Sequence, residues 1–141
     1  MIRATLDVNV LASGFLVKTG VPAELIRSWF ARTCELVLSY HILEGLQRTL
    51  QKPYFQQRMT PEQMRDAHRI LRARASLVDP SIPVHGIGED EEDDLVLSTA
   101  LSGRVDFLVT GDRHLQQIGN YQGLIILPPR DFLDVLTRDV T

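Results

Sequence analysis

The sequence predicts an α/β protein, a three-layer α/β/α sandwich around a central parallel sheet. Two observations carry that prediction. Short apolar runs, at Ile2 to Leu6, Leu36 to Leu38, Phe107 to Val109 and Leu124 to Leu127, are each the length of a buried parallel strand. Between them lie stretches whose apolar residues recur at helical spacing, and strands alternating with helices imply a parallel sheet clothed by helices. No internal repeat or linker interrupts the pattern, so residues 1–141 are expected to form one domain.

Each element has its own signal. Ile2, Ala4 and Leu6 form the first strand, and the acid Asp7 follows at once; Val8 to Leu11 then run into Ser13-Gly14, where the pattern breaks. Pro22 stands where a helix begins, with Leu25, Ile26, Trp29 and Phe30 on one packing face. After the strand at Leu36, Ser39 is placed to cap a helix with the core stripe Ile42, Leu43, Leu46 and Leu50. Pro53 ends that helix, and Tyr54-Phe55 anchors the connection. Thr60-Pro61-Glu62-Gln63 is a capping box with proline at the first helical position, opening a helix to about Ala75 with Met64, Ala67 and Leu71 inward.

The proline- and glycine-rich segment from Asp79 to Gly88 is expected to be loop. Six consecutive acids, Glu89 to Asp94, then open a helix ending at Gly103, with Val96, Leu97, Ala100 and Leu101 inward. Phe107 to Val109 is the next strand and leads into Thr110-Gly111-Asp112. A turn at Gly119-Asn120 precedes the last strand, and Pro128-Pro129 leads into a final helix with Phe132, Leu133 and Leu136 inward.

Composition narrows the function classes. The chain has 141 residues, 44% of them hydrophobic, and a formal net charge of −3. That charge gives no global pull toward nucleic acid, so any such contact must be local. The lone Cys34 excludes a disulfide framework and fits a reducing cytoplasm. No apolar run approaches the roughly 20 residues that span a bilayer, and Arg3 and Asp7 interrupt what would be a signal peptide.

The chemistry is expected where strand ends meet. Asp7 and Asp112 each follow an apolar strand, and in a parallel sheet both strand ends share one rim. On position alone Asp7 reads more readily as a helix cap. Asp93 adds to it, because Asp93, Val96, Leu97 and Ala100 share the i, i+3, i+4, i+7 spacing of an inward face. Two such charges about 5 Å apart repel by roughly 3 kcal/mol at an effective dielectric near 20. A cluster of them persists only with protons or a cation, and oxygen-only ligands select Mg²⁺ or Mn²⁺. Cys34, His41, His68, His85 and His114 show no zinc spacing. Such a pocket activates water for displacement at phosphorus, the chemistry of phosphodiester or phosphomonoester hydrolysis. Asn9 and Thr110 are placed to support the acids or hold water, beside their ordinary roles in turns and strand ends. Glu44 lies opposite the apolar stripe of its helix, free to face solvent or a cleft, and the pattern alone favours solvent.

These motifs, DVNVL at Asp7, the helix acid Glu44, EDDLVLSTAL around Asp93 and FLVTGDRHL at Asp112, together resemble the PIN domain. More narrowly they are similar to the short prokaryotic, VapC-like toxin components of toxin–antitoxin systems. The likeness extends over nearly the whole chain, including SYHILEGLQRTLQKPYF and the closing LPPRDFL. It implies an α/β/α sandwich that cleaves single-stranded RNA with Mg²⁺ or Mn²⁺. Carried over residue by residue, it implies Asp7, Glu44, Asp93 and Asp112 as metal-holding catalytic acids, with Asp94 as an additional ligand and Asn9 and Thr110 in support. Val8 departs from the pattern, since the family usually has Thr or Ser there. A cognate antitoxin and a homodimer are expected on the same ground. Arg113, Arg48 and Lys52 are candidates to steady the RNA backbone.

Two other readings stay open at this point. A haloacid-dehalogenase-like phosphatase would want an acid at Asn9 and a lysine beyond Lys52, and the sequence has neither. A catalytically degenerate domain that binds RNA or protein is disfavoured by the intact set of acids.

Overall fold

A computed structural model of the chain describes residues 1–139; the last two positions of the expected 1–141 domain lie outside them. In chain order the elements are β1 (Ile2–Leu6), α1 (Val8–Leu16), α2 (Val21–Phe30), β2 (Cys34–Leu38), α3 (Tyr40–Leu50), α4 (Pro53–Gln56) and α5 (Pro61–Arg74). There follow β3 (Ser76–Leu77), α6 (Glu91–Ser102), β4 (Phe107–Val109), α7 (Arg113–Ile118), β5 (Asn120–Tyr121), β6 (Leu124–Leu127) and α8 (Pro129–Asp139).

The sheet runs β3-β2-β1-β4-β6-β5. Every pairing is parallel except the last, β5 with β6. Leu36, Val37 and Leu38 are consecutive in β2 and all buried, so helices cover both faces of the sheet and the strands read as unbroken apolar runs. Helices α2 and α8 pack on each other over β2 and β4, while α6 runs across β2, β1 and β4. This is the expected α/β sandwich.

Local signals act where they were read. Ser39 caps α3 by accepting from the Ile42 N–H, and Thr60 and Gln63 close a reciprocal capping box at the start of α5. Helix α6 ends at Gly103. No helix or strand crosses residues 79–88.

Several details differ, each for a physical reason. Helix α1 continues through Ser13-Gly14 to Leu16. A Cβ at Gly14 would lie 2.6 Å from Ile26 Cγ1 and 2.9 Å from the Pro22 carbonyl, so this glycine is where α1 and α2 touch, not where a helix stops. Phe30 is 41% exposed and packs against Trp29 and beneath the Arg74 guanidinium, outside the core. Strand β3 is too short to carry a period. Gly119 closes α7 at a φ of 70°, and the turn that matters comes later, where Gln122 and Gly123 both take positive φ in a tight hairpin between β5 and β6.

The order places β1 at the centre, with β2 and β3 on one side and β4 and β6 on the other. The crossovers reverse between β1 and β4. Leu6 lies beside Val109, and the Asp7 N–H donates to the Val109 carbonyl at 2.9 Å. A crevice at the carboxyl ends of two such strands is where open α/β sheets place ligands.

Candidate active site

At that crevice lies a pocket of about 560 Å³ lined by Asp7, Glu44, Asp93 and Asp112, with Asn9, Arg48 and Lys52 on its walls. The acids expected from strand ends and from the helix stripe therefore open onto one space. Their supports differ, and those differences set their chemistry.

Asp7 leaves β1 and caps α1: Oδ1 accepts the Val8 N–H at 2.7 Å and Oδ2 accepts the Thr110 hydroxyl at 2.7 Å. Capping and facing the pocket are thus one arrangement, not alternatives. Thr110 is fully buried and its hydroxyl also accepts the Asp112 N–H at 3.0 Å. One side chain thereby joins the two strand-end acids. Burial pushes the Asp7 carboxyl above its ordinary range against the hydrogen bonds from Thr110 and Val8, and the charges of Asp112 and Asp90 push the same way.

Asp112 in turn caps α7, accepting the Leu115 N–H at 3.1 Å. Asp93 sits in the first turn of α6, half-buried, and accepts the Glu89 N–H at 3.2 Å. Its carboxyl is pushed up to about 6, first by burial and then by the charges of Asp90, Asp112 and Asp7. These three acids and Asp90 are thus close enough to repel one another.

Glu44 is exposed on α3 and faces this cleft; the pattern of its helix could not distinguish cleft from solvent. Arg48 and Lys52 follow on the same wall, and Arg48 pairs across the mouth with Glu92. Thr110 supports the acids from beneath. Val8 lines the pocket and packs toward α3, where a Cβ on Gly45 would come within 3.1 Å of Val8 Cγ2. The Thr110 hydroxyl lies behind the lining, bonded to Asp7 and to the Asp112 N–H.

Two expected site residues are elsewhere. Asp94, the additional ligand, does not line the pocket. It is 9% exposed, and its carboxylate accepts the N–H groups of Gly86, Ile87 and Gly88 at 2.9, 3.1 and 2.7 Å. Those bonds, Gly88's first, hold it below the usual carboxylate range. Helical spacing predicts Asp93 as the inward acid. In the structure Asp94 is the more buried, because the first turn of α6 faces the 86–88 loop before the helix reaches the core. Arg113 is exposed on α7 and does not line the pocket.

Among the polar lining residues, His41, Thr49, Glu89, Asp90, Glu91 and Glu92 escaped the sequence reading. Asp90 had a usable signal. It caps α6 by accepting the Asp93 N–H at 2.9 Å, a role open to the first acid that precedes a helix by one residue.

The donors at the pocket are carboxylate oxygens, two of them with raised proton affinity, and such a set suits a hard divalent cation. Among the described residues no three His, Cys, Asp or Glu side chains are gathered closely enough to hold one ion between them. The acids stand around the pocket rather than as a closed cage.

The model of a known family, the PIN domain, matches residues 3–114, a span that begins before Asp7 and ends just after Asp112. The chain belongs to the PIN domain family. This PIN domain is similar in fold to solved VapBC structures. One is VapBC2 from Rickettsia felis bound to a DNA fragment from its promoter: TM-score 0.63, 16% identity, covering 90% of this chain and 98% of that one. Another is VapBC-1 from nontypeable Haemophilus influenzae: TM-score 0.59, 19% identity, covering 92% and 99%. No curated protein matches the sequence. No helix among the described residues is long and apolar enough to cross a membrane.

Proposed function

We propose that this PIN domain is a metal-dependent endoribonuclease that cuts single-stranded RNA and acts as the toxin of a toxin–antitoxin pair. The observation that carries the reading is the opening of Asp7, Glu44, Asp93 and Asp112 onto one pocket, with the Asp7 and Asp93 carboxyls raised by burial and mutual repulsion. Membership of the PIN family and the likeness to VapBC complexes support it.

Asp7, Glu44, Asp93 and Asp112 would hold Mg²⁺ or Mn²⁺, their side chains turning inward to do so. The bound ion supplies Lewis acidity toward a scissile phosphate and lowers the pKa of a water nucleophile. Thr110 fixes one oxygen of Asp7, leaving the carboxylate a single orientation. Lys52, just beyond α3, lines the pocket where it can meet a backbone phosphate, and an RNA phosphate would compete with Glu92 for Arg48. Asn9, exposed at the wall, can orient a water. A cognate antitoxin, a homodimer and a cytoplasmic setting belong to the same proposal.

The test is cleavage of a single-stranded RNA with Mn²⁺ or with EDTA, comparing wild type and Asp7→Asn. Cutting that needs the ion and disappears in the variant is the expected outcome. Turnover of a phosphomonoester in place of RNA would point instead to a phosphatase. Inactivity of the folded protein with Mn²⁺ present would point to a binding domain.

A further inference from the structure

Asp94 stands beside the site without entering it, and its surroundings are organised about it. Its carboxylate gathers three successive N–H groups, from Gly86, Ile87 and Gly88. Gly86 has a φ of 72°, a conformation that a side chain would strain. Three amides turned toward one point form a concavity for an anion, and here the anion is the protein's own.

The loop so gripped touches the site on two sides. A Cβ on Gly88 would lie 2.3 Å from Asp93 Cβ, so the bare glycine backbone is pressed against the Asp93 side chain. The next residue, Glu89, donates its N–H to Asp93 Oδ2. On the other side, His114 Nε2 lies 3.0 Å from the Ile87 carbonyl. A carbonyl only accepts, so that nitrogen carries the proton. His114 is on α7, the helix capped by Asp112. The loop therefore bridges the helices that carry Asp93 and Asp112, and Asp94 is what holds its shape.

We infer that Asp94 is a positioning residue: by clamping the Gly86–Gly88 backbone it fixes the rotamer of Asp93 and the spacing of Asp93 from Asp112. This rests on the proposed function, since it concerns the ion which those acids would hold.

The experiment compares wild type, Asp94→Asn and Asp94→Ala by Mn²⁺ titration calorimetry, by amide hydrogen exchange without added metal, and by RNA cleavage. Asparagine keeps one acceptor oxygen, enough for Ile87 and Gly88 but not Gly86; alanine keeps none. The expected result is graded. Exchange protection falls at Gly86 in Asp94→Asn and at all three amides in Asp94→Ala. Mn²⁺ affinity falls about 10-fold in Asp94→Asn and toward 100-fold in Asp94→Ala, the range for loss of a group that orients a metal ligand. The cleavage kcat falls with it while KM for RNA holds. If Asp94→Ala does not fold, Asp94→Asn carries the same comparison. Wild-type Mn²⁺ affinity in a variant whose loop amides have lost protection would overturn the inference. Absence of Mn²⁺ binding in the unmutated chain would instead overturn the proposed function, and would be recognised by occurring without any substitution.

Discussion

The hydroxyl of Thr110 donates to Asp7 across 103 residues of sequence and at the same time accepts the Asp112 N–H. Among the described residues it is thus the one side chain bonded to both acids that the parallel sheet brings to its rim. Because Thr110 is fully buried, water cannot replace either bond. Thr110→Val keeps the shape and removes both. It is expected to lower stability by about 1–2 kcal/mol, the cost of leaving buried polar groups unpaired, and to slow cleavage 10- to 100-fold. Thr110→Ser restores most of each. Urea unfolding and RNA cleavage read the two effects; a valine variant with full activity would show that Asp7 needs no orienting partner.

Asp93 makes the fold sensitive to pH. Its carboxyl is raised to about 6 in the folded chain, so the folded state holds a proton that the unfolded state has released. Stability from this group is present below the ordinary carboxylate range near 4 and is lost as pH rises through about 6. Asp7 is shifted the same way. With Asp93 half in water, the loss is expected to be about 1 kcal/mol. Asp93→Asn removes its share, so urea midpoints measured in EDTA at pH 4.5 and 7 lie closer together in the variant, with Asp7 left to account for the remainder. It should abolish cutting while folding as well as wild type. If Asp93→Asn unfolds, this acid is structural.

A divalent cation should stabilise the charged form of both carboxyls, which burial first and repulsion second disfavour. Millimolar Mg²⁺ or Mn²⁺ is expected to raise Tm, by the equivalent of about 2.7 kcal/mol at a hundredfold excess over Kd. Asp7→Asn should reduce the shift sharply. An unchanged Tm for wild type in both ions would exclude the acid pocket as a cation site.

Gly88→Ala tests how tightly the loop is pressed on Asp93. The added methyl would meet Asp93 Cβ at 2.3 Å, and one of the two must move. Cleavage is expected to fall at least about 10-fold, with the far-ultraviolet circular dichroism unchanged. Wild-type kinetics in this variant would show that Asp93 tolerates displacement.

What could be read from sequence and what could not follow from the same physics. Asp7 and Asp112 were legible because a residue after a buried parallel strand has one place to go. Thr60 and Ser39 were legible because capping is decided within four residues. Glu44 was not, since an exposed helix position looks the same whether it faces bulk water or a cleft. Asp93 and Asp94 exchanged burial because helical spacing says nothing of a loop folding back over the first turn. Strands β3 and β5 are too short to show alternation, and the Gln122-Gly123 turn lacks the asparagine or aspartate that usually marks such a hairpin.

The adjacency of β1 and β4 has a consequence for synthesis. Asp7 is translated before α6, while the strand beside it and the acid facing it come only after α6 has been made and has folded back. A nascent or truncated chain that stops short of Thr110 lacks both the acid facing Asp7 and the hydroxyl that holds it. The order of strands thus delays a complete rim until β4 and Asp112 have emerged and settled beside β1.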